Sequence, residues 1–336
     1  MPVPPLAFRP AGALKRLPGA SRACPLSLRD VAGALLAEAV HLPIVLEAGA
    51  APLRAALVAA KEAGSALGVT LPAGSGPERW FDAVAAEADR LAPGLPLLVA
   101  APVRLLPGDG VEAMRARRLV HRLVDAGVTH LVLDLDALPA DARADEAARA
   151  ADPALELGLG VECLLPAAPG GLPEPEDAFA LLAELGSLGA TPDLAGVRCP
   201  APEGAEGAAA QAERLLALAE ASGGVALCRR GTGAAEVARR LSDGVVRAWD
   251  DGGLAAAAAT GAGGPARGSA GGEAGGGAWP GAGTGPARAR AGTEDGQATE
   301  AAEARAYAAV AAFLDAIGAG GSADVLSAAL ARAREA

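Results

Sequence analysis

The chain has 336 residues, of which 51% are hydrophobic and 2% aromatic, and its formal net charge is -11. This apolar content is enough for a large core, whereas the acidity argues against nucleic acid or an anionic membrane as a partner, because both bind basic surfaces. The N-terminal stretch has no apolar signal segment, and no apolar run is long enough to span a bilayer, so we expect a cytoplasmic protein.

Eight short apolar runs recur along the chain at intervals of roughly 30 residues, each followed by a stretch with helical periodicity. The runs cover residues 43–48, 66–72, 96–103, 130–136, 156–165, 193–199, 224–229 and 244–250. This alternation is typical of parallel βαβ units, and eight such units favour a closed (β/α)8 TIM barrel. The sequence therefore predicts a single α/β barrel over residues 26–252, preceded by an N-terminal tail at 1–25.

Amphipathic helices are predicted between these strands, at 113–126, 177–186 and 211–222. Ser27 is predicted to begin an earlier helix, because Asp30 follows three residues later in the spacing of a capping box.

The pattern changes after the eighth run. Residues 253–299 are rich in Gly and Ala and contain three prolines, a composition that cannot bury enough apolar surface to order the backbone. We predict a low-complexity, disordered insertion there. Helical periodicity returns at 300–316 and 323–334, so residues 300–336 are predicted to form C-terminal helices that pack on the barrel.

Several segments match a known protein family in order and spacing. They are GVTHLVLDLDALP (127–139), VECLL (161–165), VALCRRGTG (225–233), DGVVRAWDDG (243–252) and the C-terminal AVAAFLDAIGAGGSAD (309–324). Over nearly its whole length the chain thus resembles the class II, metal-dependent fructose- and tagatose-bisphosphate aldolases. The resemblance implies a TIM barrel, lyase chemistry and a place in carbohydrate metabolism.

The residues that carry the chemistry of this family are replaced. Members bind a divalent metal through three histidines, and here the first two positions hold Val103 and Pro202, while the strand of the third ends in Cys228 and Arg229. Pro102 stands where the catalytic Asp is expected. None of the three histidines of the chain (His41, His121 and His130) is predicted at the carboxyl end of a strand, where barrel active sites are built.

A phosphate or sugar-phosphate site is predicted after the seventh and eighth strands, where many barrels bind phosphate. Backbone N–H groups of a glycine loop can face an anion there, and arginines supply charge-assisted hydrogen bonds. The predicted residues are Arg229, Arg230, Gly231, Thr232, Gly233 and Arg247.

Two metal sites are alternatives. Cys163, Cys199 and Cys228 lie near the ends of successive strands, and Cys199 and Cys228 with Asp134 are a candidate zinc site. Asp134 with Asp136 and Glu162 would instead suit a hard cation such as Mg²⁺. The competing interpretations are that the cysteines are small core residues, that Cys228 is a single reactive thiol, and that the carboxylates cap helices or pair with arginines.

Three functions remain open at this point. The leading interpretation is a divergent, catalytically silent pseudoenzyme that binds a sugar phosphate or another anion, resembling an accessory subunit, as a homo-oligomer or with an aldolase-like partner. The first alternative is an active carbon–carbon lyase with a substituted metal site. The second is a barrel that serves as an interaction module.

Overall fold

The computed structural model of the chain describes residues 5–38, 42–45, 50–72, 74–108, 110–168, 171–200, 203–230, 246–250 and 294–335. The strands are β1 (Cys24–Pro25), β2 (Leu42–Val45), β3 (Leu67–Thr70), β4 (Pro96–Arg104), β5 (His130–Asp134), β6 (Gly160–Leu164), β7 (Leu194–Arg198), β8 (Ala226–Arg230) and β9 (Val246–Asp250). The α-helices are α1 (Ala11–Arg16), α2 (Leu28–Glu38), α3 (Ala50–Ala63), α4 (Pro77–Leu91), α5 (Gly110–Asp125), α6 (Arg143–Glu156), α7 (Pro175–Ser187), α8 (Gly204–Ala221), α9 (Glu294–Ala316) and α10 (Ser322–Glu335).

The strands form one parallel sheet in the order β1-β4-β3-β2-β9-β8-β7-β6-β5, and β4 pairs with β5 as well as with β1 and β3. Each of the eight runs that the sequence marked overlaps one of the strands β2 to β9. The fold is therefore a curved parallel α/β sheet with helices between the successive strands β1 to β8, as the alternation of the sequence indicated.

The two faces of the sheet bury different layers, because side chains alternate along a strand. On β4, Val99, Ala101 and Val103 join the large core between the sheet and the helices. Ala100 points the other way and packs with Val132 of β5 and Leu164 of β6 in a separate small cluster. We call the face of Ala100 the inner face of the sheet.

The N-terminal stretch, predicted as a tail, is part of the fold. It contains a short 3-10 turn at Pro5–Phe8, helix α1 and strand β1, and β1 pairs with the start of β4. Together with α10 it covers the amino end of the inner face, where Leu26 and Leu28 pack with Leu330. These elements are too short to show a periodic pattern of apolar residues, so the sequence did not predict them. Contacts with the rest of the fold hold them in place.

Contacts around this N-terminal stretch explain why Gly160 and Ser27 stand at their positions. A Cβ atom at Gly160 would lie 2.3 Å from Cβ of Leu28, so only glycine fits where β6 begins. Ser27 caps α2 as predicted: its Oγ accepts a hydrogen bond from the N–H of Arg29 at 3.2 Å and donates one to the carbonyl of Gly158 at 2.8 Å.

The predicted helices are confirmed, with shifted boundaries. The helix expected from residue 300 begins at Glu294, and ion pairs from Arg54 to Glu303 and a hydrogen bond from Tyr307 to Glu62 hold it against α3. The rest of the predicted insertion lies outside the described residues. None of the described helices is long and apolar enough to cross a membrane.

Candidate functional site

A buried charge cluster crosses the inner face of the sheet and consists of Arg230, Glu162 and His130. Arg230, the last residue of β8, donates two hydrogen bonds to Glu162 in the middle of β6, from Nε to Oε1 and from Nη2 to Oε2, each 2.6 Å long. His130, the first residue of β5, places Nε2 3.0 Å from Oε2 of the same carboxylate. Neither imidazole nitrogen makes a well-aligned hydrogen bond, so this last contact is close in distance only. We call these three residues the inner cluster.

The inner cluster keeps Glu162 ionised although its side chain is fully buried. Burial alone would raise the pKa of this carboxyl, but the charge and hydrogen bonds of Arg230, with a smaller contribution from His130, lower it to about 2. A bidentate guanidinium–carboxylate pair of this kind is the strongest geometry available to two side chains. The inner cluster is therefore a permanent ion pair rather than a proton donor or acceptor exposed to a substrate.

Gly196 of β7 makes room for the inner cluster. A Cβ atom there would lie 2.2 Å from Oε1 of Glu162 and 2.4 Å from Cδ2 of Leu164. Such distances do not occur between non-bonded atoms, so any larger residue would displace the carboxylate. The glycine thus belongs to the same structural unit as the ion pair.

A second, solvent-facing charge cluster lies at the carboxyl end of the sheet. Arg198, the last residue of β7, contacts Asp134 at the end of β5 with Nη2 2.8 Å from Oδ2, and also pairs with Asp136. Asp134 Oδ1 in turn accepts a hydrogen bond from the N–H of Asp136 at 3.1 Å, which shapes the turn after the strand. Arg104 ends β4 and is paired in register with Asp134. We call Arg104, Asp134, Asp136 and Arg198 the carboxyl-end cluster.

Arg104 differs from the other members because its charge is not neutralised. It lies on the same face of β4 as Ala100 and Pro102, and both Pro102 and Arg104 are exposed. Within the part of the chain that the structure describes, Arg104 forms no ion pair and no side-chain hydrogen bond. The inner face therefore opens to solvent at the end of β4, and a cation stands at this opening.

The arginines of the predicted phosphate site have other roles. Both lie in β8 rather than in a loop: Arg230 belongs to the inner cluster, and Arg229 is fully buried on the opposite face, with Nη2 3.3 Å from Oε1 of Gln211 in α8. The reason is that β8 runs one residue further than its sequence suggests. Gly231, Thr232 and Gly233 lie outside the described residues, and Arg247 lies in β9, where only the backbone is described.

The predicted zinc site of Asp134, Cys199 and Cys228 does not form. Cys199 packs in the core between sheet and helices, whereas Cys228 packs in the core at the amino end of the inner face. Burial raises the pKa of the Cys199 thiol to about 11 and that of Cys163 to about 12, so both thiols are protonated in the core. The alternating direction of side chains along a strand separates these thiols.

The Mg²⁺ alternative also does not assemble, since Glu162 pairs with Arg230 while Asp134 and Asp136 pair with Arg198. Across the described residues, no group of three His, Cys, Asp or Glu side chains is placed to hold a metal ion. Two of the three positions that the family resemblance assigns to metal ligands do not fit one either, and the third, Pro202, lies outside the described residues. Val103 is buried against the helices, and Arg229 points to the same side.

His130 lies at the amino end of its strand, as predicted, but its contact with Glu162 was not predicted. The alternating direction of side chains along β6 and β8 puts Glu162 and Arg230 on the inner face, and this alternation is the signal that could have predicted their pairing. Arg104 and Arg198 were missed as well, although each is the last residue of a strand and lies on the inner face of its strand. His41 lies outside the described residues.

Comparison with solved structures finds the same fold in several aldolases. The YdjI aldolase from Escherichia coli K12 is similar over 89% of this chain and 99% of that chain, with 14% sequence identity and a TM-score of 0.61. A putative fructose-1,6-biphosphate aldolase from Coccidioides immitis is similar over 91% and 99%, with 17% identity and a TM-score of 0.57. The fructose-bisphosphate aldolase from Campylobacter jejuni is similar over 88% and 96%, with 12% identity and a TM-score of 0.61.

No protein-family model and no curated protein matches the chain. At identities this low, the likeness to the solved aldolases establishes a shared fold and leaves the chemistry to be argued from the residues.

Proposed function

We propose that this chain is a catalytically silent (β/α)8 barrel of the class II aldolase type that binds a phosphorylated carbohydrate at the carboxyl end of its sheet. The observation that carries the proposal is Arg104, an exposed cation on the inner face at the end of β4 that has no ionic partner among the described residues. The ring of parallel pairings that leads from β4 through β9 back to β5 supports the complete barrel. Ligands of parallel α/β folds bind at this end of the strands.

The carboxyl-end cluster combines two kinds of recognition. Arg104 offers a charge to an anion, and a guanidinium suits phosphate because its N–H groups match two phosphate oxygens. Asp134 and Asp136 are partly exposed carboxylates, which accept hydrogen bonds and donate none. A ligand that fits both must carry an anionic group and hydroxyl donors, and a phosphorylated carbohydrate carries the two together.

The same cluster lacks the groups that cleave a carbon–carbon bond. Asp134, its most buried carboxylate, is held by Arg198, and Pro102 beside Arg104 has no side-chain proton to exchange. Below them, Glu162 of the inner cluster is already paired with Arg230, so it is not available to a substrate. Catalysis by a general base or a bound metal lowers a barrier by several kcal/mol, and about 1.36 kcal/mol is a factor of ten in rate. We therefore infer binding without turnover.

Ligand-dependent stability tests the binding. Purified protein is melted with inorganic phosphate, dihydroxyacetone phosphate and, as a neutral control, dihydroxyacetone. A ligand at a hundredfold excess over its Kd stabilises the fold by about 2.7 kcal/mol. We expect the triose phosphate to raise the melting temperature and Arg104→Gln to remove the rise. Arg79→Gln on α4, a change at another exposed arginine, should keep it. Unmoved melting temperatures at millimolar ligand would contradict the proposal.

Turnover is tested separately with fructose- and tagatose-1,6-bisphosphate in the presence of Zn²⁺, Mn²⁺ or Mg²⁺. No cleavage above background is expected. A rate on the order of 1 per second that EDTA abolishes would show an active lyase instead.

Residues 231–233 stay a predicted second contact for the anion. Arg229 and Arg230 are not included in the proposed site, because Arg229 contacts Gln211 and Arg230 is paired with Glu162. A location in the cytoplasm also stays a prediction.

A further inference from the structure

A cavity of about 410 Å³ lies between helices α6 and α7, and its lining includes no member of the inner cluster or of the carboxyl-end cluster. Its floor is apolar and belongs to the core between the sheet and the helices, with Leu165 after β6 and Ala178 and Leu181 of α7. Of its four charged lining residues, Glu174 is neutralised by an ion pair with Arg214 of α8. A concave apolar floor with a few polar groups is typical of small-molecule sites.

The other three charged side chains of the cavity have no ionic partner among the described residues. Arg143, the first residue of α6, donates a hydrogen bond from Nε to the carbonyl of Leu138 at 3.2 Å. Its two terminal nitrogens make no ion pair or hydrogen bond within the part of the chain that the structure describes. Asp177 and Glu184 of α7 are exposed and likewise form no ion pair there. One cation and two anions therefore face the cavity with their charges available to a ligand.

The charges are arranged in a fixed order along the cavity. Asp177, Leu181 and Glu184 follow the spacing i, i+4, i+7, so they form a stripe of carboxylate, apolar side chain and carboxylate on one face of α7. Arg143 and Asp177 both lie in the first turn of helices that begin at the carboxyl end of the sheet, so these two opposite charges share one end of the cavity. Glu184 lies about 10.5 Å further along the helix axis.

We propose that this cavity binds a free basic α-amino acid, of which arginine is the example tested below. The α-carboxylate pairs with Arg143 and the α-ammonium group with Asp177. The aliphatic stem covers Leu181, and the side-chain cation pairs with Glu184. Hydrogen bonds of about 2.9 Å at each end of the stripe leave roughly 5–7 Å between the two cations of the ligand, which is the separation in an extended basic side chain.

The charge balance selects this ligand class over its neighbours. The cavity offers one positive and two negative charges, and a basic amino acid carries two positive charges and one negative. An apolar amino acid would leave Glu184 without a partner, and a simple amine would leave Arg143 without one. A phosphorylated carbohydrate would meet two carboxylates, so the ligand of this cavity differs from the one proposed for the carboxyl-end cluster.

Isothermal titration calorimetry of the purified full-length protein tests the site. We expect L-arginine to bind once per chain with a Kd below about 1 mM. Three probes each lack one of the recognised groups: norleucine lacks the side-chain cation, agmatine lacks the carboxylate, and Nα-acetyl-arginine lacks the ammonium group. Each should bind at least about tenfold more weakly, because a charge-assisted hydrogen bond is lost. These probes act on the unaltered protein, so the result does not depend on how a variant folds.

Two variants assign the contacts. Glu184→Gln should weaken arginine at least about tenfold and leave norleucine unchanged, because norleucine has no group that reaches this carboxylate. Arg143→Gln should weaken both ligands. The controls are Glu220→Gln on α8 and Arg79→Gln on α4, which remove exposed charges outside the cavity and should leave binding unchanged. Circular dichroism establishes that each variant folds.

Four results would overturn the proposal. The first is the absence of saturable binding of arginine up to about 20 mM. The second is equal binding of norleucine, which would remove the role of Glu184. The third is equal binding of Nα-acetyl-arginine, which would indicate the C-terminus of a basic peptide instead of a free amino acid. The fourth is equal weakening by the control variants, since the effect would then come from net charge.

Discussion

Two clusters of arginine and carboxylate lie on the same face of the same sheet, and they differ chiefly in burial. In the inner cluster the side chains of Arg230 and Glu162 are 8% and 0% exposed, whereas Arg198 and Asp134 in the carboxyl-end cluster are 38% and 21% exposed. The contact distances of the two pairs are similar, 2.6 and 2.8 Å, although Arg230 makes two hydrogen bonds to Glu162 whereas Arg198 divides its contacts between Asp134 and Asp136. Charge pairing alone therefore does not distinguish a structural residue from one that meets a ligand.

The difference between the clusters follows from the solvent. A buried charge without its partner is very unfavourable, so Arg230 and Glu162 are bound to each other whatever the protein does. Partly exposed charges exchange protein contacts for water at little cost, which is why we propose the carboxyl-end cluster, and not the inner cluster, as the ligand site. The inner cluster fixes the relative positions of β5, β6 and β8, and the carboxyl-end cluster presents groups to solvent above them.

The largest effect that this comparison predicts is for Arg230→Met. Removing one partner of a buried ion pair costs about 3–5 kcal/mol, because the remaining carboxylate is left uncompensated. Urea unfolding measures the loss. The double variant E162M/R230M should recover part of it, since no isolated charge then remains. A loss below about 1 kcal/mol would mean that the inner cluster is hydrated and the comparison is wrong.

Acid should weaken the inner cluster. The folded-state pKa of Glu162, about 2, lies below its ordinary value of 4.5, so its contribution to stability is complete above pH 4.5 and is lost as the pH falls toward 2. This contribution amounts to about 3 kcal/mol. The free energy of unfolding of the wild-type protein is compared with that of Glu162→Gln across this range. Their difference should shrink with falling pH, and a constant difference would show that Glu162 does not titrate there.

Gly196→Ala tests whether the space around the inner cluster is as tight as the structure indicates. The new methyl group would overlap Glu162 and Leu164, and overpacking of this kind costs about 1–3 kcal/mol. The control is Gly186→Ala in α7, where the nearest atom to a Cβ is Thr191 Oγ1 at 3.5 Å. Thermal unfolding of both variants gives the comparison. Equal stability of the two would remove the argument for a close-packed inner face.

The smallest effect is expected for Arg198→Met. A pair this exposed contributes at most about 1 kcal/mol, so unfolding in urea should change little. The variant frees Asp134 and Asp136, whose negative charges then oppose an anion beside Arg104. We therefore expect weaker stabilisation by phosphate with nearly unchanged unliganded stability. If the free energy of unfolding fell by several kcal/mol, Arg198 would have a structural role like that of Arg230, and the distinction between the two clusters would be wrong.

The elements themselves were largely predictable. Strands such as β4 and β5 are short apolar runs, and α5 and α7 have helical periodicity, so local pattern was enough to place them. The stretch that contains α1 and β1 was predicted as a tail because its elements are too short for a recognisable pattern, and it is ordered by contacts with β4 and α10. Strand β8 extends one residue beyond its apolar run because Arg230 continues the pairing with Arg198.

The sequence by itself determined the alternation of strands and helices and the acidic charge, and it predicts that no histidine or catalytic Asp stands where the family it resembles has them. These are properties of single residues and local spacing. Only the tertiary structure decided that Arg230 pairs with Glu162, that Cys199 and Cys228 face opposite sides, and that Arg104 has no ionic partner among the described residues. The physical reason is that each outcome depends on register between distant strands and on exclusion of water, and neither is encoded in the neighbourhood of the residue itself.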